Sequence, residues 1–441
     1  LTVSRGEMEL ALDPGIDFVM RGGFGDLRES VNAPIVFVGF GIQAPTHDHD
    51  DYAGIDIKGK ILVIFTGAPE RFPADERAFY SSSTGKRALA VAKGALGILT
   101  VRTPVDQERI PWLRVQQSAA LPDMRWQSPE GTVCEGFPEL RGNASLSQKG
   151  AQRLFSMAGI DIDSLFEEYK IGTAHSLDLG LVATLTRQSR HRLISSPNVV
   201  AAIRGSDPSL SNEYVLVTAH LDHLGVTDDA VFNGAIDNAA GVAIVLEIAA
   251  LFRQQAEKTR RSVIFALVTA EEGGLRGSDY LANNFPVPIQ SVAANVNIDM
   301  PILLFPVGDV EGFGVEHSTL LGTLNRVAAT MDLLVTSDSR PHLVRLIRSD
   351  QYSFVKKGIP GLNLKPGNKS SNPSSDGPSL VGLYLKEHYH APSDDLDLPF
   401  SEEGAATFLE LAFRFVTAIA DDETRPSWND GDFFGDRYSQ R

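Results

Sequence analysis

From Asn198 onward, short apolar runs alternate with longer amphipathic ones: NVVAAI, EYVLVTAH, GVAIVLEIAALF, SVIFALVTA, AANVNID, STLLGTLNRVAATM, GIPGLNL and EEGAATFLELAFRFVTAIA. The strand-length runs are almost continuously apolar, so a sheet built from them must be covered on both faces, and the helical runs between them supply the cover. This pattern constrains the chain more than any other and predicts an α/β layer architecture.

The first half has a different texture. APIVFVGFGI, KGKILVIFTGAP and KRALAVAKGALGILTV read as strand, strand, helix and strand punctuated by Gly and Pro, a smaller β-rich module. A looser stretch through Cys134 follows, then the amphipathic run SLSQKGAQRLFSMAGI and the polar linker RQSRHRLISSPN. The expected organisation is a lead-in segment at 1–30, the small module at 31–185, the α/β domain at 190–425 and a tail at 426–441. SRPHLVRL and KPGNKSSNPSSDGPS read as loops.

Composition narrows the chemistry. The 441 residues carry a formal charge of −16 and no Lys/Arg-rich block, which argues against nucleic acid or an anionic membrane as partner. No apolar stretch is read as reaching the roughly 18 residues of a membrane span. Cys134 is the only cysteine, so an intrachain disulfide and a thiolate zinc cluster are both excluded, and any metal must rest on histidine and carboxylate. Leu1 at the start reads equally as a processed mature chain, secreted or periplasmic, or as a trimmed one.

In covered α/β sheets ligands collect at the carboxyl ends of the strands. There EYVLVTA ends in His220 and Asp222, SVIFALVTA in Glu271 and Glu272, and ANVNI in Asp299; NGAIDNAAG delivers Asp237, and KEHYHAPSDD carries His388 and His390. Two adjacent glutamates ending an apolar strand repel each other and resist desolvation unless a cation sits beside them. Two histidines and three acids would suit two divalent ions, with Asp237 as the candidate bridge. His220 and Asp222 share a face by strand parity, so the acid can orient the imidazole directly or through the backbone. By the same parity His223 points away and reads as a turn residue. Of the glutamates, one would ligate and its neighbour would move a proton.

The strings VTAHLDHLG, FNGAIDNAAGVA, TAEEGGLRGSDY, NVNIDM and YHAPSDD resemble, in order, the motif series of the co-catalytic zinc aminopeptidases, the clan of aminopeptidase Y, glutamate carboxypeptidase and transferrin receptor. IVFVGFGI, DDYAGIDIKGKILVI and KGALGILTV resemble the protease-associated domain that many members carry. The resemblance implies a mixed, mostly parallel eight-stranded sheet with helices on both faces. It implies His220, Asp237, Glu272, Asp299 and His390 as ligands of two zinc ions, Asp237 bridging, Glu271 as general base and acid, and Asp222 as the orienting acid. The implied reaction is release of N-terminal residues from peptides with a free amino terminus, through attack of a bridging water on the scissile carbonyl. Carboxypeptidase action, single-zinc glutaminyl cyclase action and an inert receptor stay open on the same scaffold.

RSDQYSF departs from the family pattern, with Gln351 where many relatives carry histidine. Elsewhere the plain reading is preferred: THDHDDY (His47, His49) as a solvated loop, Glu316 and His317 as turn and capping residues, Cys134 as an incidental thiol. Tyr352 and Tyr389 are oxyanion candidates outside the main set.

Overall fold

The computed structural model describes residues 1–171, 175–227, 229–338 and 345–439. They form two compact units, Leu1–Ile194 and Ser195–Arg441. Most of SRPHLVRL, at 339–344, lies outside the described residues.

The first unit is built on an eight-stranded sheet in the order Met8–Ala11, Thr2–Arg5, Leu177–Gln188, Arg28–Phe37, Ile61–Phe65, Gly97–Val101, Gly142–Leu146, Phe18–Val19. Arg28–Phe37 through Gly142–Leu146 run parallel, joined by helices that include Ser83–Ala92. The unit is therefore α/β at its centre rather than simply β-rich. Ile35, Phe37, Ile61, Phe65, Leu99 and Phe155 fill one side. Residues 1–30, read as a lead-in, are part of this sheet: Thr2 pairs with Thr184, and Val3 is fully buried. The THDHDDY histidines are partly buried and paired rather than freely solvated. His47 Nε2 lies 2.6 Å from Glu76 Oε2 with its ring stacked on Phe72, and His49 Nε2 lies 3.1 Å from Asp51 Oδ1.

The second unit carries a sheet in the order Val199–Ile203, Ser262–Val268, Tyr214–His220, Val292–Asn297, Gly361–Pro366, Asp309–Phe313, Leu334–Thr336. It is mixed and mostly parallel as expected, although the described residues form seven strands rather than eight; only the pairings of Val199–Ile203 with Ser262–Val268 and of Asp309–Phe313 with Gly361–Pro366 are antiparallel. All seven residues of Ser262–Val268 are buried, because helices cover both faces. Ala240–Gln254 and Glu402–Asp421 press Ile248, Phe252, Phe408 and Phe415 onto one face, while Leu281 and Phe354 cover the other. Burying each of these large side chains stabilises the fold by roughly 1.5–3 kcal/mol.

Two further readings are amended. Ala235–Gln254 is long and apolar enough by length and composition to cross a membrane, which the sequence reading missed; half of its apolar window is buried against the sheet. The tail at 426–441 is structured through Tyr438. Asp432 caps helix Phe433–Tyr438, accepting from the Phe434 and Gly435 N–H groups, and holds His317 at 2.6 Å, while Phe434 is fully buried.

For the site, the decisive fact is adjacency. Tyr214–His220 lies between Ser262–Val268 and Val292–Asn297, parallel to both, with His220 opposite Val268 and Thr218 opposite Asn297. Three carboxyl ends therefore finish side by side.

Candidate metal centre

His220 ends its strand almost fully buried. Its Nδ1–H donates to the Asp222 backbone carbonyl at 3.0 Å, since a carbonyl can only accept. Its Nε2 faces Asp299 Oδ1 at 3.3 Å and Asp237 Oδ1 at 3.4 Å, where Nε2–H donates to the carboxylates and a metal ion would take the place of that proton. The Asp222 carboxylate does something the parity argument did not foresee. Its two oxygens accept the Glu271 and Glu272 N–H groups at 2.9 and 3.1 Å, pinning the paired acids by their backbone.

Ala270 adopts the left-handed conformation at φ 54°, as do Met300 at 51° and His390 at 55°. Each is an uncommon choice for a residue with a Cβ, and all three lie in or next to the acid cluster, where backbone strain is most often found in functional sites. At Ala270 it turns the chain after Val268, so that both following glutamates line the cleft.

Asp237 sits in the turn that opens the long apolar helix. Its own N–H and that of Ile236 donate to Asp394 at 3.1 and 2.9 Å, and Tyr384 donates its hydroxyl to the same carboxylate at 3.1 Å. Asn238 ties the turn to the next strand, donating to the Ile298 carbonyl at 2.9 Å and accepting from the Met300 N–H at 3.1 Å. Gly241 permits this approach, because a Cβ there would stand 2.1 Å from Asn238 Oδ1 and 2.5 Å from the Ile298 carbonyl. Asp394 was quoted within a motif but given no role; only its complete burial identifies it as the anchor of Asp237. Asp394→Ala is expected to weaken zinc binding about 10- to 100-fold, the usual scale for a residue that orients a ligand, as read by competition against a fluorescent chelator.

The donor atoms fall into two groups that share one carboxylate. His220 Nε2 and Asp299 Oδ1 gather around Asp237 Oδ1, while His390 Nε2 lies 3.3 Å from both Asp237 Oδ2 and Glu272 Oε1. Ligand atoms held tetrahedrally at zinc distances of ~2.0–2.1 Å are ~3.3–3.4 Å apart, close to the spacings observed. The Glu272 Oε1 atom is buried, with only the imidazole nitrogens of His223 and His390 close to it among the described residues, at 3.1 and 3.3 Å. Among the described residues, no lysine or arginine pairs with Asp237, Glu271, Glu272 or Asp299. A buried, acid-rich group of oxygen and imidazole donors fits a divalent cation such as zinc.

Titration reflects this crowding. Burial pulls His220 down, but Asp237, Asp299 and the charge of Glu271 outweigh it and leave the imidazole well above its ordinary range. Against the same opposing burial, Asp237 and Glu272 lift His390 to about 9. Burial raises Asp237 and Glu272, yet the neighbouring histidines hold both below the usual carboxylate range. Glu271 differs. Burial lifts it well above that range, opposed by His220 and reinforced by Asp299, Asp350 and Glu272.

The structure thus brings His220, Asp222, Asp237, Glu271, Glu272, Asp299 and His390 together and leaves other candidates aside. His388 turns to Ser393, its Nδ1 3.0 Å from the hydroxyl. Tyr389 lines the cleft, whereas Tyr352 shares a hydrogen bond with the Tyr438 hydroxyl at 3.3 Å. Gln351 is wholly buried, donating to the Leu346 carbonyl and accepting from Asn297 and Ser349. His223, read as a turn residue, instead joins the cluster with Nδ1 3.1 Å from Glu272 Oε1. Strand parity does not reach His223, which lies three residues beyond the end of the strand at His220. Asp350, also missed, is fully buried, and burial pushes it up to about 7.

Residues 198–416, the stretch that holds every one of these groups, match the model of peptidase family M28. A probable leucine aminopeptidase 2 of Aspergillus oryzae is 26% identical over 295 residues, covering 65% of this chain and 56% of that one. Aminopeptidase NAALADL1 of Mus musculus is 25% identical over 209 residues, 44% of this chain and 27% of its own length. The match thus spans little more than half of the fungal relative and about a quarter of the mouse one. A probable zinc metalloprotease of Pyrenophora teres f. teres is 32% identical over 112 residues, 24% of this chain and 23% of that one. Among solved structures, an aminopeptidase from Aneurinibacillus sp. strain AM-1 superposes with a TM-score of 0.47 at 19% identity, covering 97% of this chain and 81% of that one. Residues 198–416, which bring the cluster of acids and histidines to the ends of three adjacent strands, belong to peptidase family M28.

Proposed function

We propose that this chain is a zinc-dependent aminopeptidase that holds two ions and releases N-terminal residues from peptides. The observation that carries the reading is the sharing of Asp237: one oxygen faces His220 and Asp299, the other faces His390 and Glu272, and Glu271 belongs to neither group. Family membership and the names of the curated relatives, leucine aminopeptidase and zinc metalloprotease, point the same way.

In this reading His220 and Asp299 would hold one ion, His390 and Glu272 the other, and Asp237 would serve both. Bound zinc would supply Lewis-acid polarisation of the scissile carbonyl. Glu271 would take the proton of the attacking water and pass it to the leaving amine. Burial holds this carboxyl above the ordinary carboxylate range, which favours its taking up the proton that it then returns. Asp222 keeps the shuttle in place by gripping the Glu271 and Glu272 N–H groups. Met300, Ile302, Phe313, Val381 and Leu385 line the adjoining cleft, an apolar surface for a substrate side chain. The acids at its end favour a cationic amino terminus over a carboxyl terminus, which supports aminopeptidase rather than carboxypeptidase action.

The test is hydrolysis of Leu-Gly-Gly beside its N-acetyl derivative, with and without chelator, on protein of measured metal content. Expected results are two zinc equivalents per chain, loss of turnover on chelation, and cleavage of the free-amine peptide at least about a hundredfold faster. Equal cleavage of the blocked peptide, or release of the carboxyl-terminal glycine first, would sink the aminopeptidase assignment. One zinc equivalent with full activity would remove the shared-carboxylate argument.

A further inference from the structure

One wall of the cleft is made by two antiparallel strands in fixed register. Lys365 stands opposite Glu311, and Asn363 opposite Phe313. Period-two alternation sends Leu362, Leu364 and Val310 into the core, all fully buried, and turns Asn363, Lys365, Glu311 and Phe313 to the cleft. Asn363 reaches the metal donors themselves, accepting the Asp299 N–H at 3.2 Å. Lys365 lies two residues further along the same face.

The charges on this wall do not all pair. Arg345 is engaged on three sides, ion-paired to Asp338, 3.7 Å from Glu311 and stacked 3.9 Å over the Phe313 ring. Glu311 thus has its cation. Lys365 makes no hydrogen bond or ion pair among the described residues, and its ammonium lies 5.9 Å from the Phe313 ring centre. Burial and the charge of Arg345 lower its pKa, while Asp299, Asp237 and Glu311 act on it as favourable charges without a hydrogen bond or ion pair. A lysine held in a half-buried wall without a partner loses hydration with no direct contact in return. A carboxylate arriving from the cleft would provide that contact.

We propose that Lys365 receives a carboxylate of the substrate, making this site selective for peptides that present one in the cleft. The assignment rests on the peptidase reading above. The carboxylate has two possible sources, an acidic side chain on the N-terminal residue or the α-carboxylate of a dipeptide. Nothing in it requires Lys365 to touch the reacting atoms: it is a specificity residue.

The experiment has two arms, each read as a ratio of kcat/KM within one protein. The first compares Glu-Ala-amide with Gln-Ala-amide, and the second compares Leu-Ala with Leu-Ala-amide. In wild type, one arm is expected to favour the carboxylate at least about tenfold, the scale of a charge-assisted contact; that arm identifies the source. The ratio should fall to about one in Lys365→Gln and Lys365→Met, and survive in Lys365→Arg. Calorimetric binding of L-glutamate against L-glutamine provides a readout independent of turnover, and wild-type ratios stand even where a variant folds poorly. Ratios near one in both wild-type arms overturn the proposal. So does a preference that persists in Lys365→Gln, or a substitution that slows all substrates equally, as expected if Lys365 merely offsets nearby acids. If Leu-Ala-amide is hydrolysed while both ratios are one, only the Lys365 assignment falls. If no peptide is hydrolysed and glutamate does not bind, the peptidase reading falls with it.

Discussion

Glu271→Gln is expected to keep its zinc and lose at least about two orders of magnitude in kcat, the lower end of what a positioned proton shuttle contributes. Glutamine has nearly the same shape, and the backbone N–H at 271 still meets Asp222, so the turn that presents Glu272 should persist. What disappears is a group that can both accept and return a proton. Zinc content measured beside kcat separates this outcome from simple loss of metal. A variant with full zinc and full turnover would remove Glu271 from the mechanism, and one that lost zinc as well would make it a ligand. The adjacent substitution makes a useful contrast. Glu272 Oε1 lies 3.3 Å from His390 Nε2 among the donor atoms, so changing it should lower metal content first and rate as a consequence.

Asp237→Ala should have the larger effect on metal, because a single side chain serves both donor groups. Zinc affinity is expected to fall at least about a hundredfold, beyond the scale of changes to a residue that merely supports a ligand. The stability consequence follows from linkage: an ion that binds only the folded chain stabilises it by roughly 2.7 kcal/mol at a hundred times its dissociation constant. The wild-type melting temperature should therefore rise on adding zinc, and Asp237→Ala should show little or none of that rise at the same concentration. The histidines add a further signature. His220 and His390 both have raised pKa values, so zinc must displace protons from them, and calorimetric binding enthalpies should depend on the ionisation enthalpy of the buffer. A zinc response unchanged in Asp237→Ala would contradict the shared-carboxylate geometry.

Glu271 and Glu272 also show how far the sequence reaches. Paired acids directly after an apolar strand make physical sense beside a cation and little sense otherwise, so the pair marked a candidate site before any fold was known, and both acids line the cleft. His220, Asp299 and Asp237 were legible for the same reason, each polar residue closing an apolar run or opening a helix. His223 was misjudged because strand parity holds only while the strand lasts, and nothing in HLDH marks where the extended backbone stops. Asp394 and Asp350 escaped because an acid in a polar string looks solvated until its burial is known.

What the sequence by itself determined is the kind of chain this is: covered apolar strands alternating with helices, acids and histidines at their ends, and no thiolate to compete for metal. Those are local facts of periodicity and residue type. Only the tertiary structure decided that Tyr214–His220 sits between its two parallel neighbours, that Asp237 offers an oxygen to each of two donor groups, and that Lys365 stands on the cleft wall with no hydrogen bond or ion pair among the described residues. Strand order, side-chain burial and the pairing of charges across strands depend on residues far apart in the chain. No local pattern of amino acids can specify them.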